Sequence, residues 1–105
     1  MLARYCLKYG IDGVIVSAQG NQEDSELQEK LVDVIKAIRL EDKQNKLTVI
    51  AAGCQYQGVQ TGAEAVKYLK AGATNVQILS RMFVEGPYAP RNLEREIFQQ
   101  LSAGI

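Results

Sequence analysis

The chain has no histidine and no tryptophan in its 105 residues, and only two cysteines, two prolines and two methionines. Without histidine the usual general base is missing, and with it every Ser-His or Cys-His nucleophilic pair. Cys6 and Cys54 are too few for a disulfide framework. They are also too far apart for a zinc site built without histidine, so both read as reduced thiols and no metal is expected. Net charge is absent as well. Twelve basic and twelve acidic residues cancel, which removes any general pull toward nucleic acid or an anionic membrane. No apolar run approaches the roughly 18 residues of a membrane span. Met1-Leu2-Ala3-Arg4-Tyr5-Cys6-Leu7-Lys8 carries charges throughout and no small-residue cleavage pattern, so it does not read as a signal peptide, and a soluble, cytoplasmic protein is expected.

The informative stretch runs from Val49 to Val66: an apolar run, a glycine-bearing loop, then a helix start. A strand, loop and helix of this kind gather backbone N–H groups and the positive end of a helix at one spot, an arrangement that can hold a phosphate. The same glycine-bearing turn also joins strands to helices where nothing binds, so the loop has a ligand-holding reading and a purely structural one. A nucleotide triphosphatase is excluded, because Val59 stands where the P-loop lysine must be.

Taken in order, residues 2 to 9 read as a short helix ended by Gly10. Val14-Ile15-Val16 is β-branched without polar alternation, which predicts a strand covered on both faces. Ser17 to Gln22 reads as a loop. Ser25 and Gln28 make a capping box, and Leu27, Leu31, Val34, Ile35 and Ile38 are the expected buried face of a helix whose other side carries Glu29, Lys30, Asp33 and Lys36. Glu41 to Lys46 is turn chemistry, and Leu47 to Ala51 the second strand. Thr61 and Glu64 form another capping box for a helix that ends at Gly72. Asn75 to Leu79 is the third strand, and Arg81 to Ala89 reads as irregular. Pro90 opens a last helix with Leu93, Ile97, Phe98 and Leu101 on its buried face. A faint repeat, Lys8-x-Gly10-x-x-x-Val14-x-Val16 and Lys70-x-Gly72-x-x-x-Val76-x-Ile78, marks two helix ends feeding strands. The whole predicts one α/β domain over 1–105 with a three-stranded parallel sheet, whose ligand edge would gather Ser17, the Gly53 to Thr61 loop and Ser80.

Gly10-Ile11-Asp12-Gly13-Val14-Ile15-Val16-Ser17, Gly58-Val59-Gln60-Thr61-Gly62-Ala63-Glu64-Ala65, Lys70-Ala71-Gly72-Ala73-Thr74-Asn75-Val76-Gln77-Ile78 and Glu85-Gly86-Pro87, in that order, resemble dihydroorotate dehydrogenase. The resemblance is to the last three βα units of its (β/α)₈ barrel. It implies a partial TIM barrel and FMN, with the flavin phosphate on backbone amides of Gly58 and Val59, on Ser80 and Arg81 at the next turn, and with Thr61 opening the following helix.

Departures from the family pattern accompany the matches. Its paired glycines appear as Gln57-Gly58 after an apparent insertion, Gly53 to Tyr56; its substrate-contacting Asn is Ala18; the small residue of its last phosphate turn is Arg81. The five strands that bring the family's base and flavin-ring contacts have no counterpart here, and a full barrel needs roughly 250 residues. No catalytic residue is therefore assigned. Cys54 reads as a small packed residue, Arg81 as a phosphate cap or a solvated charge, and Tyr56 as a ring platform or a cover for the loop. Three readings stand: a piece of a flavin-dependent dehydrogenase, a half barrel holding a phosphorylated ligand without chemistry, or a structural, oligomerising or engineered domain without a ligand. Homo-oligomers, or association with a missing barrel half, are expected from the exposed edges.

Overall fold

The structure, a computed structural model, describes residues 2–18, 25–54 and 58–103. Helix α1 spans Leu2–Lys8 and stops as the sequence predicts: Gly10, at φ +73°, turns the chain so that the Ile11 N–H reaches the Cys6 carbonyl at 2.8 Å. Strands β1 (Gly13–Ala18), β2 (Thr48–Cys54) and β3 (Asn75–Val76) form one parallel sheet in the order β1-β2-β3. Helix α2 (Ser25–Glu41) links the first two strands and α3 (Gly62–Ala71) the second pair. Helix α4 (Ser80–Glu85), a 3₁₀ turn at Gly86–Tyr88 and α5 (Ala89–Ala103) complete the order.

The helices cover one face of the sheet. Val16, Val49 and Ala51 are buried with Leu31, Ile35 and Ile38 of α2 and with Ala65 and Tyr68 of α3. Each Leu, Ile or Val enclosed this way stabilises by about 1.5–3 kcal/mol. The opposite face differs from the expectation for β1. Ile15, Ile50 and Asn75 lie in register across the strands, and Ile15 is 63 % exposed, so the sheet is covered on one side only among the described residues. Val34 departs from its predicted face for a related reason: it borders an open cleft beside β1 with Ile15 and Lys30, while Val32 is buried instead.

Three further corrections concern the C-terminal third. The third strand is shorter than Asn75–Leu79, because Gly58 bridges Ile78 and the Val59 N–H takes the Gln77 carbonyl at 2.7 Å. Residues 81–89 are not irregular; an Arg81–Glu85 pair one helical turn apart supports α4. Gly86, at φ +68°, ends that helix. Leu93 is buried and Ile97 packs against the core, as predicted, but Phe98 is 63 % exposed and Leu101 is exposed. The capping box at Ser25, the polar loop through Gln22, and Tyr56 involve groups outside the described residues.

At the amino ends of the strands lies a polar node that the sequence did not announce. Arg39 of α2 donates to the carbonyls of Gly72 (2.7 Å) and Leu47 (2.8 Å), to Thr74 Oγ1 (2.9 Å) and to Asp42 Oδ2 (3.0 Å). Asp42, buried, accepts from the Lys46 and Leu47 amides at 2.9 and 2.8 Å. Burial alone would raise its pKa, but those amides and Arg39 outweigh it and hold the carboxyl below its ordinary range.

Candidate functional site

The loop after β2 and the turn after β3 meet at the carboxyl ends of the strands, where an α/β sheet carries its ligands when it has any. Gly53 and Gly58 have φ of +74° and +84°, and they pair with each other. A side chain at Gly58 would place its first carbon 2.7 Å from the Leu79 amide nitrogen and 2.8 Å from the Gln77 carbonyl; one at Gly53 would lie 2.7 Å from the Gly58 carbonyl. Glycine is thus required here by backbone packed on backbone. Val59, next in the chain, is wholly buried in the core.

Thr61 caps α3 as predicted, its Oγ1 accepting from the Glu64 amide at 3.1 Å. The reciprocal half of the box is shifted by one residue: Glu64 Oε1 accepts from the Gln60 amide at 3.2 Å, while Oε2 accepts from the buried Tyr68 hydroxyl at 2.8 Å. The Gln60 side chain spans the two turns, donating to Ser80 Oγ at 2.8 Å. Arg81 reaches back with a 3.0 Å bond to the Gln60 carbonyl and is otherwise paired with Glu85 and with Glu96 of α5. Glu96 also accepts from the Gly62 amide at 3.1 Å, and Asn92 donates to Glu85 at 2.7 Å. A shallow cleft of about 300 Å³ is lined by Gln60, Ser80, Arg81, Val84 and Glu85.

The structure therefore brings Gly58, Val59, Thr61, Ser80 and Arg81 to one edge, linked through Gln60. Ser17, next to last in β1, lies toward the same edge, with no bond to this group among the contacts described. Gln60, Glu85 and Glu96 belong to the group although no sequence motif assigns them a role there. The four-residue step from Arg81 to Glu85 was a usable signal; Glu96 is fifteen residues from Arg81 and had none.

Arg81 lowers the pKa of Glu96, helped by the Gly62 amide, and lowers that of Glu85, helped by Asn92; the two carboxylates in turn raise that of Arg81. Groups whose folded pKa lies below the ordinary value, 4.5 for these glutamates and 3.8 for Asp42, contribute stability that is present above that value and lost as pH falls through the folded one. Denaturant midpoints should accordingly be flat near neutrality and drop between roughly pH 5 and pH 2. The Glu85→Gln, Glu96→Gln double variant should show a shallower drop. A double variant with the wild-type acid profile would contradict these pairings.

The family model described as dihydroorotate dehydrogenase matches residues 25–101. The chain belongs to the dihydroorotate dehydrogenase family. A curated relative, dihydroorotate dehydrogenase (quinone) of Sulfurimonas denitrificans, is 27 % identical over 115 residues, covering 97 % of this chain. The chain spans 31 % of that relative's length. No solved structure matches it. No helix among the described residues is long and apolar enough to cross a membrane.

The flavin phosphate that the resemblance places on these turns does not fit them as they stand. The amides of Val59, Gln60, Gly62 and Glu64 are each donated to a group of the chain itself. The glycines face backbone rather than a cradle, and the one arginine lies between two carboxylates.

Proposed function

We propose that this chain supplies three consecutive βα units to a flavin-dependent dihydroorotate dehydrogenase barrel and serves there as scaffold, without chemistry of its own. The observation that carries this reading is the sheet face through Ile15, Ile50 and Asn75, left uncovered among the described residues, together with the outer edges of β1 and β3, which pair with no further strand among them. Three parallel strands cannot close, whereas a barrel of eight removes both edges and fills the bare face with side chains. A match to 31 % of the relative's length agrees with three units of eight. The completing strands would come from the remainder of a longer polypeptide or from a second one.

Oxidising dihydroorotate needs a proton acceptor on one side of the substrate and an oriented flavin on the other. The chain has no histidine and has Ala18 in place of the family's substrate-contacting Asn; of the positions where the resemblance puts the FMN phosphate (Gly58, Val59, Thr61, Ser80 and Arg81), the Val59 amide is already bonded to the Gln77 carbonyl and the Arg81 side chain to Glu85 and Glu96. Those engagements also favour an alternative, a structural, oligomerising or engineered half barrel with no ligand.

One preparation tests the proposal. Light scattering at high micromolar concentration should report species larger than the monomer. The same protein given dihydroorotate, FMN and a dye acceptor should show no turnover above a free-flavin control. A well-folded monomer would contradict the open surface. Turnover abolished by a bulky residue at position 58 would overturn the scaffold reading.

A further inference from the structure

We infer that Glu96, held by Arg81, occupies the anion position at the junction of the two turns, so that this chain excludes a phosphate monoester from the place where its resemblance would put one. The inference concerns the turns alone and does not depend on the barrel reading. A helix N-terminus attracts negative charge because its first amides lack partners within the helix. Here that charge comes from inside the molecule. Glu96 Oε1 accepts from the Gly62 amide at 3.1 Å, and the other carboxylate oxygen pairs with Arg81.

Shape argues the same way as charge. A side chain at Gly62 would place its first carbon 2.5 Å from Glu96 Cβ and 2.7 Å from its carbonyl carbon, so α5 is seated directly on the start of α3. The space over the first helical residue is filled by protein. Arg81, the cation that would draw a phosphate in, faces Glu85 and Glu96 together, which leaves the cluster one negative charge in excess. Asn92 braces Glu85 at 2.7 Å and keeps it in that role. An incoming dianion would therefore meet two carboxylates before it met an available donor. The cleft lined by Gln60, Ser80, Arg81, Val84 and Glu85 opens beside this cluster. Removing the Glu96 carboxylate would take away the partner of the Gly62 amide and leave Arg81, which lines that cleft, with Glu85 as its carboxylate partner.

The test follows the amide signal of Gly62 and the side-chain Nε signal of Arg81 by NMR while the full 105-residue chain is titrated with inorganic phosphate. The wild type should show no saturable shift at millimolar phosphate. Glu96→Ala should show saturation at both signals, roughly tenfold tighter or better than any wild-type response. Glu94→Ala removes the same charge from an exposed position on the same helix and should behave as wild type. If Glu96→Ala does not fold, Glu96→Gln takes its place, with the same direction expected, since it removes the charge while keeping the shape. Saturation of the wild type as tight as that of the variant would overturn the inference, and so would a folded variant that remains silent to phosphate.

Discussion

Gly58→Ala should cost the protein roughly 2–5 kcal/mol, the sum of about 1–2 for a non-glycine residue in the left-handed region and about 1–3 for a forced contact in a packed interior. Both contributions are visible at this residue. Its φ is +84°, and the added carbon would meet the Leu79 amide nitrogen at 2.7 Å, the Gln77 carbonyl at 2.8 Å and Ile78 Cα at 2.8 Å, all of them backbone atoms that cannot rotate away. The bridge from Gly58 to Ile78 and the Val59–Gln77 bond depend on that approach, so the junction of the two turns would be disturbed with it. Gly10→Ala is the internal control. Gly10 also has positive φ, +73°, but nothing lies within 4 Å of the added carbon, so only the conformational cost of about 1–2 kcal/mol remains. Urea denaturation of the two variants measures the difference. Equal losses would mean that the close approach of the loop to the backbone around Ile78 contributes nothing. A domain of this size is stable by only about 5–15 kcal/mol, so Gly58→Ala is expected to leave a substantial unfolded fraction at mild denaturant concentrations.

Element order apart from α4, the parallel sheet and the helix ends at Gly10 and Gly72 were legible because each rests on a local rule: glycine after a helix, apolar runs, and a hydroxyl at a cap. Thr61 is the clearest instance, since its capping role depends only on the residues immediately following. What the sequence did not show depends on long-range partners. Val14-Ile15-Val16 reads as a strand covered on both faces, and a local apolar run does not specify how many strands exist to cover it; with three in the sheet, Ile15 is left exposed. The same holds at the candidate site. Gly58, Thr61, Ser80 and Arg81 lie at one edge of the sheet, but the Glu96 carboxylate comes from a helix whose docking onto α3 no spacing rule predicts. Phe98 and Leu101 show the converse: helical spacing predicts one buried apolar stripe, and the fold buries Leu93 and packs Ile97 on the core while leaving Phe98 and Leu101 exposed.

Arg39→Ala should be as damaging as any substitution in the site, although it lies at the opposite end of the strands. Its guanidinium is nearly enclosed and donates to two backbone carbonyls, those of Gly72 and Leu47, at 2.7 and 2.8 Å. Hydrogen bonds from a charged donor are worth about 1.5–3 kcal/mol each, so losing these two alone removes roughly 3 kcal/mol or more. A third bond goes to Thr74 Oγ1, which in turn accepts from the Val49 amide at 3.1 Å, and a fourth to Asp42, which holds the turn at Lys46 and Leu47. One side chain thus ties the end of α2 to the start of β2, the end of α3 and the approach to β3. Arg39→Lys separates geometry from charge. Lysine keeps the cation but has a single nitrogen, and it cannot reproduce a planar fork that reaches Gly72, Leu47 and Thr74 at once. It should therefore lose most of what alanine loses, with both variants unfolding at clearly lower urea concentration than wild type and with unchanged steepness. If Arg39→Lys unfolds within about 0.5 kcal/mol of wild type, the size of an ordinary surface substitution, then charge alone suffices at this position and the fork is not what joins these elements.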